Sequence, residues 1–133
     1  QIEDWKDVIG IRWLNPRKDI ENVYKQVDCV VLPSYREGMP KTLLEAGSMG
    51  LPSVATNVPG CRNIIQDNVN GFLCRAKDAR DLEQSMTKVL NLSRHDYEKM
   101  SINARNIVEN SFDEKIVIDS ALDDLDSLLK QLK

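Results

Sequence analysis

The spacing of apolar positions changes along the chain, and each change marks an element. Residues 7–14, DVIGIRWL, alternate apolar and other side chains and are rich in β-branched and aromatic types, which predicts a strand. Residues 17–27 place Ile20, Val23, Tyr24 and Val27 at helical spacing and predict a short amphipathic helix. Residues 28–34, DCVVLPS, form a continuous apolar run closed by Pro and Ser, the pattern of a strand buried on both faces. A loop through Met39 follows, with Pro40 at the first helical position, a helix over 41–49, Gly50 as its C-terminal cap and Pro52 preventing continuation. Residues 52–57 predict a second buried strand, CRNIIQD one helical turn, and NVNGFLC a loop entering a short strand that ends near Cys74. Three helices with polar caps then follow, over 78–92, 94–110 and 113–132. Strands alternating with helices imply parallel strands and right-handed crossovers, hence an α/β fold with a doubly wound sheet and C-terminal helices.

The chain has 133 residues, enough for one core, with 41% hydrophobic and 29% charged residues. A formal charge of −3 argues against a nucleic-acid partner, and no apolar run reaches the roughly 20 residues of a membrane helix. Cys29, Cys61 and Cys74 are widely spaced with no CxxC pairing, so they read as small buried hydrophobes in a reducing compartment. The single histidine, His95, lies in a charged helical stretch and reads as a surface residue, so no metal site is expected.

Chemistry concentrates in SYREGMPKTLLEAGSMGLPSVAT, where Glu37 and Glu45 flank a turn running into a helix. The loop leaves the carboxyl end of a buried strand, where open parallel sheets bind ligands. The amides of Lys41, Thr42 and Leu43 are first-turn donors without intrahelical acceptors and favour a phosphate. Gly38 allows close backbone approach or an unusual turn. Glu45, one turn into the helix, suits a ribose diol, and Glu37 in the loop suits the hydroxyls of a sugar. Together they describe a nucleotide-diphosphate sugar. Plainer readings stay open: a glutamate near a helix start serves the dipole, and a loop glutamate is commonly just solvated. A two-carboxylate glycosidase is a further alternative, weakened by the phosphate-seeking amides.

The stretch VDCVVLPSYREGMPKTLLEAGSMGLPSVATNVPGCRNIIQDNVNGFLC strongly resembles the C-terminal, donor-binding half of retaining GT-B glycosyltransferases of the GT4 type, the glycosyl transferases group 1. The strand, the E-G-x-P loop and helix, the G-x-P strand, the P-G turn and the N-G-F-L segment occur in order. The resemblance implies a Rossmann-like domain over 1–133, truncated at its N-terminal side. It implies a hexose or N-acetylhexosamine moved with retention from a nucleotide-diphosphate sugar, UDP-linked more often than GDP-linked, to an acceptor hydroxyl. It assigns catalysis to Glu37, ribose binding to Glu45, the face towards the sugar to Gly38 and Met39, and diphosphate binding to the amides of Lys41, Thr42 and Leu43. It implies no metal or other cofactor. The acceptor, a growing cell-surface glycan or its lipid carrier, would bind an absent N-terminal domain, with the parent enzyme in the cytoplasm or at the inner face of a membrane.

The pattern also shows departures. Asn63 stands where the family often carries Glu, Leu14–Asn15 replaces Leu-Gly, and the upstream Arg/Lys pair for the diphosphate has no counterpart in Arg12, Arg17 or Lys18. The chain by itself is therefore expected to be inactive. The last helix, over 113–133, carries an apolar stripe of Ile118, Leu122, Leu125, Leu129 and Leu132. That stripe packs on its own domain, on the absent domain, or in an isolated piece on a second copy as a homodimer. A non-catalytic nucleotide- or glycan-binding module of the same fold is the alternative function.

Overall fold

The computed structural model describes residues 8–113. A short helix, α1 (Ile20–Tyr24), precedes the first strand, β1 (Val30–Leu32), which leads through a loop to α2 (Lys41–Ser48). Then come β2 (Ser53–Thr56), the single-turn α3 (Pro59–Arg62) and β3 (Gly71–Cys74), followed by α4 (Ala79–Leu90) and the 19-residue α5 (Arg94–Phe112). The three strands are parallel and lie in the order β1, β2, β3. This is the expected α/β sheet flanked by helices.

Parallel pairing puts alternate rows of side chains on opposite faces. Val31, Val54 and Phe72 are in register and pack against Leu82 and Val89 of α4 and Met100 of α5. The next row, Leu32, Ala55 and Leu73, faces Leu43 of α2 and Cys61 and Ile64 on the other side. All four residues of β2 are buried, as a central strand between two helical layers should be. Because the strands run the same way, the loops after Leu32, Thr56 and Cys74 all emerge at one edge.

Helix α2 ends as its sequence predicts. Gly50 has φ of +71°, Leu51 N–H donates to the Ala46 carbonyl at 2.9 Å, and Gly50 N–H to Gly47 at 2.9 Å. That crossed pair of bonds closes the helix with a left-handed residue that glycine adopts without a Cβ penalty. Helix α4 is capped by Asp78 and α5 by Ser93, whose side chains accept the Asp81 and Asp96 amides. Between α3 and β3, buried Asn70 donates to the Ile64 carbonyl at 2.9 Å and accepts Gln66 N–H at 2.7 Å, which fixes the loop feeding Gly71 into the sheet.

Three expectations change. Residues 8–14 form no strand: Val8, Ile9, Ile11 and Trp13 are exposed, and β1 is bonded to β2 alone among the described residues. Alternation prepares a strand, but without a neighbour its peptide groups gain nothing by extending. The helix expected over 17–27 is five residues long, and Val27 lies outside it, exposed. β1 is half-buried along its length rather than buried on both faces, because it is an edge strand here. The helix expected over 113–132, with its stripe of Ile118, Leu122, Leu125, Leu129 and Leu132, lies outside the described residues apart from Asp113.

Helices α2 and α5 touch backbone to side chain. A Cβ on Gly47 would lie 2.5 Å from Val108 Cγ2 and 3.3 Å from the Ala104 carbonyl. Gly47→Ala should therefore lower stability, by about 1–3 kcal/mol for an overpacked core. The additional Val108→Ala should recover part of that loss in urea unfolding.

Candidate donor site at the carboxyl edge of the sheet

The loop 33–40 leaves β1 at the shared edge and is fastened to β2. Thr56 Oγ1 donates to the Ser34 carbonyl. Ser34 Oγ in turn donates to Glu37 Oε1 at 2.5 Å, which fixes one oxygen of the carboxylate. The first turn of α3 then approaches from the other side. A Cβ on Gly60 would collide with the main-chain carbonyls of Glu37 and Gly38, so only glycine lets α3 touch the loop. Tyr35, Arg36, Glu37 and Gly38 with Val58 and Pro59 line an open groove of about 460 Å³. At Gly38 itself a Cβ would meet no protein atom within 4 Å, and φ is not positive. Of the two readings of Gly38 the unusual turn is absent, its open face is free for a ligand to approach, and the contact within the protein that demands glycine is at Gly60.

Pro40 is the residue before the helix rather than its first member, with extended ψ of 104°. Leu43 N–H donates to the Pro40 carbonyl at 3.0 Å, and the Leu43 side chain is in the core. The amides of Lys41 and Thr42 have no acceptor among the described residues, so two of the three expected donors are open. Met39 is exposed beside them.

Glu45 lies one turn on and does not line the Glu37 groove. Its Oε2 accepts the Tyr24 hydroxyl at 3.0 Å, and its Oε1 is 3.7 Å from Lys41 Nζ. The ammonium is almost wholly in solvent, so this pair contributes little. The Tyr24 contact is the firmer one. Burial, reinforced by the Glu45 carboxylate, pushes the Tyr24 phenol up to about 12.

The residues that fasten the site, Tyr24, Ser34, Thr56 and Gly60, were not legible as such in the sequence. Tyr24 reads only as one position of an apolar stripe. Gly60 belongs to a turn signal, and nothing local shows what its Cβ would strike. Arg17 is held by Asp19 through two bonds of 2.8 and 2.6 Å, so its charge is balanced by that carboxylate. Arg62 donates to Asn57, and Asn63 is exposed at the end of α3. Burial raises the Cys29 thiol to about 11 and also raises Cys61 and Cys74, with the Glu37 charge adding to the effect at Cys61. These thiols are free, protonated packing groups near neutral pH rather than nucleophiles. His95 is exposed. Among the described residues no helix is long and apolar enough to cross a membrane, and no three metal-ligating side chains cluster.

A larger cavity of about 750 Å³ lies between α4 and the β3 edge, away from the strand ends, with Arg80, Glu83, Thr87 and Lys88 among its walls. Its lining includes none of the residues of the Glu37 loop or of the start of α2.

Known proteins with the same pattern give this edge its context. Residues 3–107 match the family described as glycosyl transferases group 1. Among curated relatives, the N,N'-diacetylbacillosaminyl-diphospho-undecaprenol alpha-1,3-N-acetylgalactosaminyltransferase of Campylobacter jejuni is 30% identical over 92% of this chain and 32% of its own length. The UDP-Gal:alpha-D-GlcNAc-diphosphoundecaprenol alpha-1,3-galactosyltransferase of Escherichia coli is 38% identical over 72% of this chain and 24% of its own. The chain thus spans about a third or less of these relatives. Among solved structures, a glycosyltransferase from Rickettsia africae superposes with a TM-score of 0.88 at 26% identity, over 97% of this chain and 35% of that one. With a sheet whose strand ends carry the E-G-x-P loop, and a family match over most of its length, this chain belongs to the glycosyl transferases group 1 family.

Proposed function

We propose that this chain is the donor-binding half of a retaining glycosyltransferase that takes a UDP-linked hexose or N-acetylhexosamine. The observation that carries this reading is the joining of two features at one sheet edge. A carboxylate with one oxygen tied to Ser34 opens onto a groove, and two unbonded amides start the adjoining helix. The diphosphate would lie on the amides of Lys41 and Thr42, where aligned donors meet charge developing on the leaving group. Glu45 would accept the ribose hydroxyls while Tyr24 holds its other oxygen. Glu37 would accept hydroxyls of the sugar at the reaction centre through Oε2, and the bare surface at Gly38 and Met39 would lie beneath the ring. The bond from the anomeric carbon to the diphosphate oxygen breaks, the acceptor oxygen bonds to that carbon on the same face, and its proton leaves with the diphosphate. That sequence conserves the anomeric configuration. No metal is required where amides and basic side chains supply the countercharge.

The two relatives above are named for transfer to a sugar on a diphospho-undecaprenol lipid, one of them from UDP-Gal. By the same chemistry the acceptor here would be a lipid-linked or growing cell-surface glycan, held by a further domain. The protein would then work at the cytoplasmic face of a membrane.

In the full-length protein Glu37→Ala should lower kcat for sugar transfer by about 100-fold or more, as for loss of a group acting on the transition state. Circular dichroism should stay that of the parent. Unchanged transfer would remove the catalytic assignment of Glu37, whereas a full-length parent that binds UDP but transfers no sugar would be a nucleotide- or glycan-binding module. Glu45→Ala should instead weaken UDP binding by about tenfold in calorimetry, the scale of a charge-assisted hydrogen bond. Tyr24 supplies a pH test. Its pKa is raised above that of an unfolded phenol, so its contribution to stability is whole below about pH 10. It fades as pH climbs towards the folded value of about 12. A tyrosinate absorbance titration should show that late ionisation, and Tyr24→Phe should remove it.

A further inference from the structure

On the far side of Tyr35 from the Glu37 groove lies a second cavity, of about 540 Å³, over the ends of all three strands. Pro33, Tyr35, Thr56, Cys74, Lys77 and Leu82 are among its walls, and Tyr35 lines both spaces. Lys77 has a φ of +62°, a left-handed conformation that disfavours a side chain with a Cβ. Its ammonium sits 5.6 Å from the centroid of the Tyr35 ring. The neighbouring Arg75 is balanced, by Asp78 at 2.9 Å and Asp81 at 3.4 Å. Asp78, which also borders the cavity, is further engaged by the Asp81 amide. Lys77 has no such carboxylate among the described residues. A positive charge is thus kept on an unfavourable backbone, held by an aromatic face at the mouth of a cavity whose other charges pair with one another.

We infer that this cavity is a second subsite, in which Lys77 binds an anionic oxygen group lying next to the sugar being transferred. The inference rests on the reading of the Glu37 groove as the sugar site. The anion has two sources: a diphosphate on the acceptor, or a carboxylate on the transferred sugar. Position favours the acceptor, because Tyr35 stands between this cavity and the groove assigned to the donor. Lys77 would then be a specificity residue for acceptors that carry their diphosphate close to the reacting hydroxyl.

The test is calorimetry on the full-length protein with Lys77→Gly, which suits the left-handed backbone and should fold, and Lys77→Arg, which keeps the charge. UDP should bind the parent and both variants alike. With UDP saturating, inorganic pyrophosphate should bind the parent about tenfold more tightly than Lys77→Gly, with Lys77→Arg restoring most of the difference. If the anion belongs to the donor, the same dependence appears instead in UDP-glucuronate against UDP-glucose, and pyrophosphate is indifferent to Lys77. Normal UDP binding with neither probe sensitive to Lys77 overturns the subsite and leaves the donor reading standing. Failure of UDP to bind the parent protein overturns both.

Discussion

The candidate site depends on one close contact, the passage of Gly60 against the carbonyls of Glu37 and Gly38. Two loops leave neighbouring parallel strands at the same edge, and the gap between them admits no side chain. Thr56 closes the same joint through the Ser34 carbonyl, and Ser34 through Glu37. A carboxylate on a loop would ordinarily sample many positions at an entropic cost to any ligand that needs one of them. Here the loop is clamped from both sides, and the carboxylate is arranged before a guest arrives.

The rest of the fold serves that edge. Buried rows on both faces of the sheet hold β2 as a rigid centre, and α5 ties the layers together by running from Met100 on one side to Val108 against Gly47 on the other. Tyr24 reaches from α1 to Glu45 on α2, so the helix that offers its amides also carries an oriented acid. Tyr35 divides the edge into two spaces with different characters, one beside a carboxylate and one beside an ammonium.

Much of this was legible in the sequence, for identifiable reasons. The order of strands and helices follows from apolar periodicity and from Gly50, Pro52 and the polar caps at element ends, all of which act locally. The roles proposed for Glu37 and Glu45 rest on the turn between them and on the family resemblance. What escaped was non-local. The alternation of residues 8–14 looked like a strand, yet a strand exists only with a neighbour. The unusual turn considered at Gly38 is absent, and the need for glycine at Gly60 went unread, because a close contact depends on which backbone comes near and not on the turn around it. The Leu43 amide looked open until Pro40 became the residue before the helix and accepted its hydrogen bond. Lys77 carried no sequence signal, since its backbone conformation and its aromatic neighbour are both set by distant segments.

The central claim is that this clamped loop sets the position of the acid on which transfer depends. The most direct measurement is transfer kinetics of Gly60→Ala in the full-length protein, with UDP affinity measured alongside. A methyl group there must push Glu37 and Gly38 outward while leaving the start of α2 in place. The account predicts a large fall in kcat with UDP binding nearly unchanged. A folded Gly60→Ala protein that transfers sugar at the parent rate would contradict it.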